Sequence, residues 1–218
     1  MDKSSIKLKI CGITKTNQAL EIASLGVFAI GVIAVKSSPR FLLTEKRNNL
    51  FKELSISFPK TKKVLVVANM NDEDLEDSIS VKYPPSIIQL HGNESIERCQ
   101  NIRKKFPDIQ LWKAFRINSD KDINSINIYE NVVDCFLFDA WSNNQLGGTG
   151  TKIKMGLITG KNFKVPTWIA GGISSEWIPE LLENIYPYGI DASSKLEKSP
   201  GIKDIKKVKD LIKSIKDY

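Results

Sequence analysis

Two side chains stand where a proton could be moved: Cys11, directly before Gly12, and Asp139, directly after Phe136-Leu137-Phe138. A thiolate can act as nucleophile or base if positive surroundings lower its pKa. A carboxyl closing an apolar run can act as a general acid. Each also has a plainer reading. A lone cysteine packs as a small apolar filler, and an aspartate there can cap the next loop. His91 is the one histidine in the chain, so no multi-histidine metal site can be built. It either orients a carboxylate or sugar hydroxyl, or is satisfied within its loop. Arg40, after Ser37-Ser38-Pro39, could clamp a carboxylate or phosphate bidentately, or sit in a surface salt bridge.

Glycine clusters suggest an anion. Gly147-Gly148-Thr149-Gly150, Ala170-Gly171-Gly172 and Asp191-Ala192-Ser193-Ser194 each follow an apolar run. Glycine lets backbone N–H groups approach a phosphate closely, although a tight turn needs the same residue.

These residues need a frame that brings them together. Apolar or β-branched runs at Lys7–Ile10, Ala29–Val35, Lys63–Ala68, Ser86–Leu90, Gln110–Phe115, Cys135–Asp139, Thr167–Ala170 and Gly189–Ala192 read as strands. Helical spacing lies between and after them, near 15–25, 44–56, 72–82, 94–105, 119–130, 152–161, 175–184 and 203–216. Helix starts are expected at Thr14, at Asn93-Glu94-Ser95 and at Ser174-Ser175-Glu176. Runs such as Val-Leu-Val-Val-Ala and Phe-Leu-Phe are apolar throughout, as in a parallel sheet covered on both faces. Eight βα units in 218 residues, with no composition break, predict one (β/α)8 barrel domain over residues 1–218. An open doubly wound sheet is disfavoured because no G-x-G-x-x-G follows the first strand. In a barrel, the strand C-terminal ends collect Cys11, Arg40, His91, Asp139, the glycine clusters, Asp191 and Ser194 at one rim. Cys11 and Asp139 then face each other across its mouth.

Composition narrows the class further. The chain is 41% hydrophobic and 26% charged, which excludes wholesale disorder. The longest apolar run, Val27 to Val35, is far short of the roughly 20 residues that span a bilayer. The stretch from Met1 to Lys9 has no apolar signal core, so a cytoplasmic protein is expected. Cys11, Cys99 and Cys135 have no zinc or disulfide spacing, which fits a reducing compartment. The net charge of +7 suits an anionic small substrate, nucleic acid or a solvated surface alike. The lysines between Lys203 and Lys216 alternate with Ile205, Val208, Ile212 and Ile215 at helical spacing. They read as the solvated outer face of a docked helix rather than a nucleic-acid contact.

Lys9-Ile10-Cys11-Gly12-Ile13-Thr14, Gln89-Leu90-His91-Gly92, Gly147-Gly148-Thr149-Gly150, Ala170-Gly171-Gly172 and Asp191-Ala192-Ser193-Ser194 together resemble the phosphoribosylanthranilate isomerase family of tryptophan biosynthesis. The resemblance implies a barrel that performs an Amadori rearrangement of N-(5-phosphoribosyl)anthranilate without cofactor or metal. It implies Asp139 as general acid and Cys11 as base. Arg40 would meet the anthranilate carboxylate, Gly148, Gly172 and Ser194 the phosphate, and His91 and Asp191 the pocket. The partner implied is a small phosphosugar, with no nucleic acid and no membrane, for a monomer or homodimer. Three departures accompany it: Ile153 and Met155 where the family usually has Phe and Trp, Lys195 where it usually has glycine, and Val32 and Ala34 where phenylalanines are common. The related aldose–ketose isomerase of histidine biosynthesis has an aspartate where this chain has Cys11. A non-catalytic phosphosugar-binding barrel, weakened through changes such as Lys195, is the alternative.

Overall fold

The computed structural model describes residues 6–140 and 153–218, so the Gly147–Gly150 loop, with Gly148, lies outside the described residues. Eight parallel strands close into a barrel: β1 (Lys7–Ile10), β2 (Ala29–Ile33), β3 (Lys62–Val67), β4 (Ile87–Leu90), β5 (Gln110–Ile117), β6 (Cys135–Ala140), β7 (Thr167–Ile169) and β8 (Gly189–Ala192). β8 pairs back onto β1, with Lys9 opposite Asp191 and Ile10 opposite Ala192. Each strand falls within two residues of its expected span. The helices are α1 (Thr16–Ser24), α2 (Thr44–Ser57), α3 (Asp72–Ile79), α4 (Ile96–Lys105), α5 (Asp120–Asn124), α6 (Ile178–Asn184) and α7 (Ile205–Lys216).

Alternation along each strand builds two cores. On β1, Leu8 and Ile10 join the large layer between barrel and helices, whereas Cys11 belongs to the inner cluster. The inner cluster closes the N-terminal end of the barrel with aromatic rings. Trp168 stacks on Trp112 at 4.7 Å and on Phe28 at 5.6 Å. Gly189 makes this possible, because a Cβ there would lie 2.7 Å from the Trp168 ring. Beyond this aromatic layer, Lys9, Cys11, Gln89, Asp139 and Asp191 lie toward the C-terminal ends of the strands.

Four expectations need correction. The helix expected at 152–161 is only a 3-10 turn at Met155–Leu157 among the described residues. Gly156 and Gly160, the latter at φ +74°, each cost a helix about 1 kcal/mol relative to alanine. The segment 119–130 breaks after α5 into a 3-10 turn at Asn127–Tyr129, where Ser125 Oγ donates back to the Asp122 carbonyl. Neither Thr14 nor Ser174 caps a helix through its side chain; Thr14 Oγ1 donates to Gly201 O at 2.7 Å, whereas Ser95 does cap α4. Lys203 is not on the outer face of α7. It lies buried in an antiparallel hairpin of β9 (Glu197–Ser199) and β10 (Ile202–Lys203), and the helix starts at Ile205 behind the Asp204 cap.

Candidate active site

Cys11 sits just beyond the end of β1, 6% exposed, with its N–H donating to Ala192 O and its carbonyl accepting from Ser193 Oγ at 3.0 Å. Burial pushes the thiol up from its ordinary value, and the nearby ammonium of Lys9 pulls against that rise. Lys9 is fully buried two residues earlier on the same inward face, and its Nζ donates to Asp191 Oδ2 at 2.8 Å. Asp191 therefore does reach the site from β8.

Asp139 projects near the end of β6 and is 5% exposed. Its Oδ1 accepts the Ala140 N–H, and its Oδ2 lies 3.3 Å from His91 Nε2. The other ring nitrogen, Nδ1, is 2.9 Å from Gln89 Nε2. The Gln89 amide donates to Nδ1, while Nε2 makes no hydrogen bond among the described residues and lies beside the Asp139 carboxyl. His91 thus lies at the rim next to Asp139, held from behind by Gln89.

The His91 loop is held by a second buried pair. Lys113 Nζ donates to Glu94 Oε2 at 3.0 Å and to the Gly92 carbonyl at 2.8 Å, while Glu94 Oε1 accepts the N–H groups of Asn69 and Gly92. Glu94, expected at a helix start, is instead this loop's anchor.

Arg40 is buried, and not in a surface salt bridge. Its Nε and Nη2 both donate to the Glu197 carboxylate, at 2.9 and 2.8 Å. Glu197 also accepts from Lys203 Nζ at 2.7 Å and from Gly201 N–H at 3.1 Å. Lys203 Nζ reaches on to the Ser193 carbonyl at 3.1 Å and hydroxyl at 3.3 Å. Gly12, at φ +74°, is essential to this packing, because a Cβ there would lie 2.5 Å from Arg40 Cδ. Around β7 and β8, Gly171 and Gly172 both have positive φ, +87° and +64°. Ser194 opens a 3-10 turn ending at Leu196. Lys195 lies exposed within that turn, and Asn69 is the one non-glycine residue with positive φ among the described residues. The lost glycine at 195 therefore strains nothing.

The family model described as N-(5'phosphoribosyl)anthranilate (PRA) isomerase matches residues 8–214. The chain belongs to the phosphoribosylanthranilate isomerase family. A family member from Crocosphaera subtropica is 37% identical over 211 residues, covering 97% of this chain and 99% of that protein. The phosphoribosylanthranilate isomerase of Thermotoga maritima superposes with a TM-score of 0.86 at 28% identity, covering 98% of this chain and all of that one. A further phosphoribosylanthranilate isomerase structure, in complex with reduced 1-(o-carboxyphenylamino)-1-deoxyribulose 5-phosphate, superposes with a TM-score of 0.81 at 26% identity, with 98% and 100% covered. The chain is thus an isomerase of tryptophan biosynthesis with the (β/α)8 barrel expected of that family.

Sequence reasoning placed Cys11, Asp139, Arg40, His91 and Asp191 at one rim, and they are there. It missed Lys9, Gln89, Glu197 and Lys203. For Lys9 the signal was present, since a strand with Cys11 facing inward must turn Lys9 the same way. Glu197 and Lys203 carried no such signal, because they meet only through the Pro200-Gly201 turn.

Proposed function

We propose that Asp139 and Cys11 are the acid and base with which this chain converts N-(5-phosphoribosyl)anthranilate to 1-(o-carboxyphenylamino)-1-deoxyribulose 5-phosphate. The carrying observation is that both are buried at the same barrel rim, Cys11 just past the end of β1 and Asp139 near the end of β6, in a chain of this family. Asp139 gives its proton to the ribose ring oxygen. The C1–O bond breaks as the anilino nitrogen lone pair forms a C1=N Schiff base. Cys11 thiolate then removes the C2 proton, the electron pair moves into C1=C2, and the C=N pair returns to nitrogen. The resulting enolamine gains a proton at C1 while its C2 hydroxyl gives one up, and the O–H electron pair forms the C2=O of the ketone.

Arg40 meets the anthranilate carboxylate with the edge of its guanidinium that Glu197 leaves free. The amides around Gly172 and Ser194, together with the loop carrying Gly148, receive the phosphate. His91 and Asp191 line the pocket between them. This reading makes a phosphosugar the small-molecule partner of a cytoplasmic monomer or homodimer. Three free cysteines support a reducing compartment, and no helix among the described residues is long and apolar enough to cross a membrane.

A fluorescence assay tests the roles, with phosphoribosylanthranilate generated in situ and its loss followed. Cys11→Ser and Asp139→Asn should each lower turnover by about 10²–10⁴-fold while the protein stays folded. Turnover near the wild-type rate in either variant refutes the assignment. Arg40→Ala should raise KM with a smaller effect on kcat, and an unchanged KM removes Arg40 from the substrate.

A further inference from the structure

The barrel interior holds an ion pair that the acid and base do not account for. Lys9 and Asp191 face one another across the β1–β8 pairing, 0% and 7% exposed, with Nζ and Oδ2 at 2.8 Å. An isolated buried pair of this kind gives little net stability, because desolvation offsets the attraction. Its position suggests another use. Lys9 and Cys11 share one face of β1, and a hollow on the neighbouring strand accommodates both. At Gly31 a Cβ would lie 2.8 Å from Cys11 Sγ and 3.1 Å from Lys9 Cε, so the missing side chain lets the ammonium stem and the sulfur lie together.

We propose that Lys9 is a positioning residue whose ammonium, anchored by Asp191, is the counter-ion of the Cys11 thiolate. The inference rests on Cys11 being the base. A thiol this deeply buried ionises only if a cation waits beside it. The charges facing the sulfur are Lys9 on its own strand, Asp191 on β8 and Lys203 on β10. Lys203 is committed to Glu197 and Ser193, which leaves Lys9, on the same strand face as the sulfur and bonded to Asp191, as the less occupied cation. Burial works to lower the Lys9 ammonium, but Asp191 and the Cys11 sulfur outweigh it and hold it above the ordinary lysine value. Lys9 is therefore charged across the working range of the base. Asp191 has the opposite effect on the thiol, since it shares the charge that the thiolate would otherwise hold alone.

The two residues consequently make predictions of opposite sign. The readout is the pH dependence of iodoacetamide alkylation at Cys11, followed by peptide mapping so that Cys99 and Cys135 do not interfere, alongside the acid limb of kcat/KM. In Lys9→Met both profiles should move to higher pH, with alkylation at neutral pH falling about tenfold or more. In Asp191→Asn the alkylation profile should move to lower pH. The double variant Lys9→Met/Asp191→Asn, which leaves no unpaired charge, should still ionise at higher pH than wild type. A purely structural ion pair would move neither profile in a signed way. A folded Lys9→Met protein whose Cys11 titrates as in wild type overturns the proposal. Should Lys9→Met not fold, an unmoved profile in both Asp191→Asn and the double variant overturns it equally. Alkylation does not depend on turnover, so failure of Lys9 in this role is distinct from failure of Cys11 as base, which a fully active Cys11→Ser protein would reveal.

Discussion

Replacing Glu197 with glutamine removes one negative charge from the centre of four donors. Arg40 Nε and Nη2, Lys203 Nζ and the Gly201 N–H all end on this carboxylate, at distances from 2.7 to 3.1 Å. The side chains of Arg40, Glu197 and Lys203 are 7%, 5% and 0% exposed, so neither cation can be rehydrated unless the β9–β10 hairpin moves. Deleting one partner of a buried ion pair costs about 3–5 kcal/mol. Glutamine keeps the shape and one acceptor oxygen, which places the expected loss at the lower end, about 3 kcal/mol. At roughly 2–4 °C per kcal/mol for a chain of this size, the melting temperature should fall by about 6–12 °C. In urea the midpoint should fall with the slope unchanged. The pH dependence supplies an independent check. Burial pushes the Glu197 carboxyl up, but its bonds with Arg40 and Lys203 outweigh that and hold it below the ordinary glutamate value. A depressed carboxyl contributes stability that is complete above its unfolded pKa of about 4.3 and is lost as pH falls through the folded value. The gap between wild type and Glu197→Gln should therefore be full at pH 7 and narrow below about pH 4. Melting within about 1 °C of wild type at pH 7, or a gap that widens on acidification, would refute the reasoning.

Gly12→Ala should cost about 1–3 kcal/mol for a non-glycine residue at positive φ. It should also raise KM, because the new methyl group displaces Arg40; urea unfolding and substrate titration that both match wild type would contradict this. Lys195→Gly should change stability by no more than about 0.5 kcal/mol, since Lys195 is exposed and its φ is not positive. A large fall in KM in that variant would show that the lysine obstructs the phosphate corner.

The strands were readable because eight parallel strands covered on both faces leave eight apolar runs, and the run ends coincide with the rim. That Cys11 and Asp139 end strands one and six at the same rim could be read from strand order alone. The helices were less legible where local chemistry competes with the 3.6-residue period, as at Gly156 and Gly160 or at Asp122 and Ser125. The ion pairs were least legible. Arg40 and Glu197 are 157 residues apart and Lys9 and Asp191 are 182 apart, so nothing in either local stretch names the partner. A sequence pattern reports which face a residue takes; it does not report which distant charge meets it there.

Those long-range pairs meet at one junction. Ser193 accepts from Lys203 and donates to the Cys11 carbonyl, which ties the rim network of Arg40, Glu197 and Lys203 to the strand that carries Lys9 and leads into the proposed base. The two linked networks hold two lysines and an arginine against two carboxylates, Asp191 and Glu197, and of these Lys9, Lys203 and Asp191 face the sulfur. The group therefore has one positive charge in excess while Cys11 is a neutral thiol, and ionising the thiol neutralises it. On the proposed reading a substrate carboxylate arriving at Arg40 draws on the same excess, so substrate binding and thiolate formation would compete for it. The proposed site predicts a measurable consequence: an anionic product analogue bound at Arg40 should raise the apparent pKa of Cys11 in wild type and leave it unmoved in Arg40→Ala. A Cys11 titration indifferent to the analogue in wild type would separate the two networks and remove Arg40 from the electrostatics of the base.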